Sequence, residues 1–274
     1  MSVTRQQFQG HAFHMVDISP WPLVTSFALL ALTTSAVGYF HGVELGGYAV
    51  LTSIISVVGA IILWFRDVAA EGSLGGHHSF AVQRSLNYGV LLFIVSEIFF
   101  FVSIFWAFFH SALSPTVELG NQWPPAGIET LNAFEVPLLN TLILLSSGAS
   151  LTYAHHALIQ GNRKATIIGF IVTLILAVSF TGYQALEYYE APFTISDGIY
   201  GSTFYMGTGF HGAHVIIGTL FLLVAFFRIL NYSLTDHHHL GFESAALYWH
   251  FVDVVWLFLW VSIYWWGGLF IAPL

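Results

Sequence analysis

A single carboxylate, Glu97, interrupts the run LNYGVLLFIVSEIFFFVSIFWAFFH between Leu86 and His110, where no other side chain carries a formal charge. Counted at about 1.5 Å per residue, it lies about 16 Å along the helix that this run predicts. An ionised carboxylate at that depth in hydrocarbon costs about 3 kcal/mol on insertion. The neutral acid is therefore expected, hydrogen-bonded to a carbonyl, a neighbouring helix or a water.

The other residues able to do chemistry are histidines, 14 in all. His211 and His214 are spaced i,i+3, so they share one helix face and offer two imidazoles to a metal. Two ligands do not make a site, and a haem held by two histidines needs them on facing helices at matched depth. The plainer reading is polar glue between helices, helped by Gly207, Gly209, Gly212 and Ala213, which allow backbones to approach. His250 and Asp253 share the same spacing and are positioned to partner each other. A further group, His11, His14, His77, His78, His155, His156, His237, His238 and His239, falls in or beside segments predicted to face one aqueous side. Imidazole titrates near neutral pH, so these rings, beside Asp67, Glu71, Asp236 and Glu243, make a candidate proton-collecting surface. Ordinary solvated loop histidines are the alternative, and a short exposed HHH tract lacks the fixed geometry of a metal site.

The elements that carry these residues follow from composition. The chain has 274 residues, 57% hydrophobic and 7% charged, against about a quarter charged in a soluble domain, and it reads as a membrane protein. Six Lys+Arg against 14 Asp+Glu leave no basic patch for nucleic acid. Without cysteine there is no disulfide, iron-sulfur cluster, thiolate copper site or covalently attached c-type haem. Apolar runs long enough to cross about 30 Å of hydrocarbon predict an all-α polytopic chain with seven transmembrane helices in one domain. They are Pro22–Phe40, Gly47–Phe65, Leu86–Leu113, Val136–Leu158, Thr166–Leu186, Phe204–Leu230 and Ala245–Phe270. Arg5, Arg66, Arg84, Arg163, Lys164 and Arg228 then all fall on the side of the N-terminus. The positive-inside bias puts that side in the cytoplasm or matrix and the C-terminus outside. Glu44, Glu118, Glu129, Glu135, Glu187, Glu190 and Asp197 gather on the opposite side. Trp21, Trp64, Trp123, Trp249, Trp265 and Trp266 lie near predicted helix ends and read as headgroup anchors.

Four segments, SEIFFFVSIFWAFFHSALSPTVELGNQWPP, LNAFEVPLLNTLILLSSGASLTYAHHAL, EYYEAPFTISDGIYGSTFYMGTGFHGAHVIIG and FESAALYWHFVDVVWLFLWVSIYWWG, resemble the signature segments of the cytochrome c oxidase subunit III family. The similarity runs from WFRDVAAEGSLGGHH at Trp64 to the end of the chain; the first forty or so residues are weakly diagnostic. The resemblance implies an accessory subunit of a haem-copper oxidase that reduces oxygen and translocates protons. No redox centre is expected in this chain: haem and copper lie in partner subunits, and the chain contacts the catalytic subunit I.

The same resemblance implies that the first two helices stand apart from the other five around a cleft filled by phospholipid. The matching lipid contacts are Trp64, Phe65, Glu71, His78 and Arg228, with Arg66 a nearby basic candidate. A phosphate headgroup there would meet cations and its chains an apolar cleft. Glu97 matches an intramembrane acid of the family, and its role stays open between shaping helix contacts and carrying proton or oxygen traffic. A bacterial inner membrane is the expected location, a mitochondrial inner membrane the alternative. A histidine-ligated membrane redox protein and a seven-helix transporter are the rival functions; a transporter would need a midplane site built from broken helices.

Overall fold

The computed structural model describes residues 11–234 and 239–269, and among them every regular element is helical. Helix α1 spans Trp21–Phe40, α2 Gly46–Ser73, α3 Phe80–Leu113, α4 Val136–Ile159, α5 Arg163–Glu190, α6 Gly198–Leu230 and α7 Leu240–Leu259. A π-helical stretch, Trp260–Trp266, continues α7, and a 3-10 turn, Val117–Leu119, lies in the loop between α3 and α4. Among the described residues seven helices are long and apolar enough to cross a membrane, as expected.

Several helices outrun the apolar runs that predict them. Helix α2 continues past Phe65 to Ser73, α3 begins at Phe80, α5 takes in Arg163 and Glu190, and α6 begins at Gly198. Hydropathy marks the hydrocarbon thickness, whereas a helix satisfies its own backbone and continues until a cap or breaker stops it. Asn162 supplies such a cap, its Oδ1 accepting from Ala165 N at 3.2 Å.

The chain divides into two compact units, one up to Leu86 and one from Asn87. In the first, α1 and α2 form a hairpin. Trp21 Nε1 at the start of α1 donates to Asp67 Oδ2 at 2.5 Å, and Ser35 Oγ donates to Ser53 Oγ at 3.3 Å. The Asp67 carboxylate is also held by Arg66, whose Nη2 lies 2.8 Å from Oδ1.

In the second unit α4 packs on α5, and α7 packs on both α4 and α6. Phe242, Ala245, Trp249, Val252, Trp256 and Leu259 of α7 are all fully buried, and their alternating spacing of three and four residues lays them along one helix face. Two of them bind α4 through their indoles: Trp249 Nε1 donates to Ser147 Oγ and Trp256 Nε1 to Thr141 Oγ1, both at 2.9 Å. Each hydroxyl in turn donates to its own helix, Ser147 to Leu144 O at 2.6 Å and Thr141 to Pro137 O at 2.9 Å. A hydroxyl used in both directions leaves neither partner unsatisfied in the apolar interior.

Two tryptophans therefore depart from the headgroup reading. Trp249 is 0% and Trp123 1% exposed, because helix register and the α3–α4 loop turn them inward. Trp123 meets Phe108 edge-on and lies tilted against Tyr200, both with centroids 5.5 Å away. If the indole bonds join α7 to α4, Trp249→Phe should lower stability by about 1 kcal/mol and Trp249→Ala by about 3–5 kcal/mol. Thermal unfolding in detergent reads both; equal losses would leave the Ser147 bond without a role.

Candidate functional site

Glu97 has a partner, and it comes from α6. Glu97 Oε2 lies 2.9 Å from His214 Nε2, with side-chain exposures of 22% and 12%. His214 Nδ1 in turn lies 2.6 Å from Phe210 O. A carbonyl oxygen only accepts, so Nδ1 carries a proton. Nε2 then either accepts the Glu97 proton or bears its own opposite a carboxylate; in both arrangements the pair is neutral overall. Aromatic rings enclose it: Phe101 lies 5.1 Å from the His214 ring, and Tyr248 stacks at 6.3 Å. This is how the span tolerates a carboxylate.

His211 turns elsewhere. Its Nε2 lies 3.2 Å from Val252 O on α7, and its ring packs on Trp256 and Phe180 at 5.1 and 5.7 Å. One histidine thus joins α6 to α7 and the other joins α6 to α3. They do not converge on a common ligand position, and the glue reading describes both.

His250 and Asp253 face α4. His250 Nε2 lies 3.4 Å from Thr152 Oγ1, and no His250–Asp253 hydrogen bond forms. Asp253 is 8% exposed, and its Oδ1 is buried without a hydrogen-bond partner. A Cβ on Gly148 would come within 3.0 Å of Asp253 Oδ2, so α4 needs glycine where this carboxyl abuts it.

Glu187 is a correction. Read as one of the acids gathered at the outer surface, it is 4% exposed and lies inside α5. Its Oε1 accepts from Gln184 Nε2 at 3.0 Å and from Tyr264 OH at 2.5 Å. Asn140 Nδ2 reaches Gln184 Oε1 at 3.5 Å, so α4, α5 and the π-helical stretch share one buried polar cluster. Its signal was in the sequence: Thr166, Thr173, Ala177, Phe180, Gln184 and Glu187 recur at helical spacing and are all buried.

In the first unit the segment before α1 folds against the turn between α2 and α3, where Ser79 Oγ donates to Ala12 O. This brings ligand-type atoms of His14, Glu71 and His78 within 4.8 Å of one another. The His14 ring stacks on His77 at 4.7 Å and meets His78 edge-on at 6.1 Å. Further along α2, Trp64 is 36% and Phe65 69% exposed, and Arg66 is held by Asp67. His11 is exposed, its Nδ1 accepting from Phe13 N at 3.3 Å.

The second unit holds the remaining histidines of the expected proton-collecting surface. The His155 and His156 rings stack at 6.2 Å, and His155 meets His239 at 5.6 Å. Ligand-type atoms of His155, His239 and Glu243 form a second group within 4.8 Å. His237 and His238 lie outside the described residues. The Arg228 guanidinium lies over the first turn of α7, where a Cβ on Gly241 would sit 2.8 Å from its Nη1. Among the described residues no carboxylate lies within ion-pair distance of Arg228. Arg163, by contrast, is spent on structure: Nη1 and Nη2 donate to Ile229 O and Leu230 O at 2.6 and 3.0 Å, and the guanidinium covers Tyr232 at 3.7 Å.

The Glu97–His214 geometry separates its two proton arrangements by mutation. If the carboxyl donates to a neutral imidazole, Glu97→Gln replaces one donor with another and should cost about 1 kcal/mol or less. His214→Ala strands the acid and should cost about 3 kcal/mol. Unfolding in detergent, with infrared detection of a protonated carboxyl band that Glu97→Gln removes, checks both; equal losses and no such band would assign the ionised pair.

Comparison with known proteins agrees with this architecture. The family model of cytochrome c oxidase subunit III matches residues 11–268. Cytochrome c oxidase subunit 3 of Rhizopus stolonifer is 63% identical over 266 residues, covering 97% of this chain and 94% of that protein. The subunit 3 of Mycosarcoma maydis is 63% identical over 271 residues, covering 97% and 98%. That of Triticum aestivum is 57% identical over 261 residues, covering 95% and 98%. With the helix count and a match across nearly its whole length, the chain belongs to the cytochrome c oxidase subunit III family.

Proposed function

We propose that this subunit of cytochrome c oxidase works without a cofactor of its own, packs against the haem-copper subunit I, stabilises it, retains phospholipid and supports proton uptake. The observation that carries the reading is the meeting of His14, Glu71 and His78 within 4.8 Å. Glu71 and His78 match lipid-contacting positions of the family, and the group joins imidazoles to a carboxylate at the edge of a spanning helix. Groups of this kind exchange protons with water near neutral pH and hydrogen-bond a lipid headgroup. Trp64, Phe65, Arg66 and Arg228 complete the proposed lipid set. Arg228 suits a phosphate, since no carboxylate among the described residues claims it.

Relatives from two fungi and a plant move the proposed location from a bacterial membrane to the mitochondrial inner membrane. The N-terminus and all the bases then face the matrix. Arg228→Ala in the assembled oxidase should reduce retained phospholipid and loosen the subunit. Arg163→Ala, which removes a cap on α6, should leave lipid content unchanged. Lipid extraction and mass spectrometry of the purified complexes decide, and equal lipid in all three proteins would remove Arg228 from the site.

Removing the subunit tests the wider role. The stripped partner should keep initial turnover at mildly acidic pH, where protons are abundant. Its rate should fall off at lower pH than that of the intact enzyme, because imidazoles that gather protons between about pH 5 and 8 are gone. It should also lose activity sooner during sustained turnover. Superimposable pH profiles and equal lifetimes would reduce the chain to inert filler.

A further inference from the structure

We propose that His155, His239 and Glu243 form a binding site for a divalent cation of the zinc class, which staples the end of α4 to the start of α7. His155 stands in the last turns of α4. His239 is the N-cap residue of α7, and Glu243 lies in its first turn. The i,i+4 spacing of the latter two puts both side chains on one face. Their ligand-type atoms and that of His155 all lie within 4.8 Å of one another. His239 Nε2 and Glu243 Oε1 are 3.2 Å apart, close to the edge of about 3.3–3.5 Å that a tetrahedral ion with bonds of about 2.0–2.2 Å requires. Bringing the third ligand from within 4.8 Å to that edge takes a side-chain movement of at most about 1.5 Å.

A plain ion pair at the start of α7 needs only His239 and Glu243. It does not account for His155, whose Nε2 is buried without a hydrogen-bond partner although its ring is fixed edge-on to Phe242 at 5.0 Å and to His239 at 5.6 Å. A buried imidazole nitrogen without a donor or acceptor is costly, and a metal ion at this place uses it. Two imidazole nitrogens and one carboxylate oxygen suit zinc, whereas calcium and magnesium ask for six or more oxygens. The Glu243 side chain is 42% exposed and that of His239 11%, so the site opens to water on the carboxylate side, and a water molecule would be the fourth ligand. The C-terminal carbonyls of α4 favour a cation there.

The test uses the assembled oxidase, stripped with a chelator, dialysed against low micromolar zinc chloride and counted for zinc by mass spectrometry relative to haem iron. Wild type should hold one zinc more than His239→Ala and than Glu243→Gln, both of which alter residues at the helix end rather than the core. His156→Ala, which changes a neighbouring exposed imidazole outside the group, should hold the same amount as wild type. Anomalous scattering at the zinc edge from wild-type oxidase should place a peak among the three side chains, which tests the site without any substitution. Equal zinc in every variant, an equal loss in His156→Ala, or no anomalous peak at these residues would overturn the proposal.

Discussion

Inside a bilayer a polar side chain has only the protein to bond with, and that constraint arranges the second unit. Four polar side chains of α6 and α7 that the apolar interior admits reach a neighbouring helix. Trp249 and Trp256 reach hydroxyls of α4, His211 reaches a backbone carbonyl of α7, and His214 reaches Glu97 of α3. The serines and threonines that receive these bonds keep their own proton for the carbonyl three or four residues back. One hydroxyl thereby serves its own helix and the next, so helices join without a buried charge.

Acids are the hard case, and the chain handles them differently. Glu97 takes an imidazole and becomes half of a neutral pair. Glu187 takes two donors on one oxygen, from Gln184 and Tyr264, while its Oε2 has no protein partner. Asp253 is left with a buried Oδ1 and a glycine opposite. Helix–helix association in lipid gains little from apolar contact alone, since lipid tails are as apolar as leucine. Polar contacts of this kind therefore fix which helix faces which, and the acids mark where α3 meets α6, α5 meets the π-helical stretch, and α7 meets α4.

The number and order of spans were legible in the sequence because hydropathy is a local property, averaged over one helix at a time. Partners were not legible, because they are made by distant parts of the chain: Glu97 and His214 are 117 residues apart. Periodicity lay between these limits. The α5 stripe from Thr166 to Glu187 keeps helical spacing throughout, and extending it one turn past the apolar run would have placed Glu187 inside. Ending the helix at Leu186 instead left it among surface acids. Trp249 was misread for a related reason: nearness to a helix end suggests an anchor, but its spacing from Phe242, Ala245, Val252 and Trp256 assigns it to the buried face.

The choice of histidine over lysine follows from the same constraint. A lysine at the position of His211 or His214 would bring a charge that the apolar interior penalises, whereas a neutral imidazole offers one donor and one acceptor. That is enough for His214 to join Phe210 O to Glu97, and for His211 to bond Val252 O. Arginine appears where several donors are needed at an aqueous end. Arg163 uses two of its nitrogens on the last carbonyls of α6, which the end of a helix leaves without intrahelical partners, and its flat face covers Tyr232. Arg228, on the final turn of that same helix, points its guanidinium toward α7 instead. Two arginines that meet at one helix end thus differ in what they touch: Arg163, at the start of α5, is committed to the backbone of α6, and Arg228, in the last turn of α6, lies against the first turn of α7.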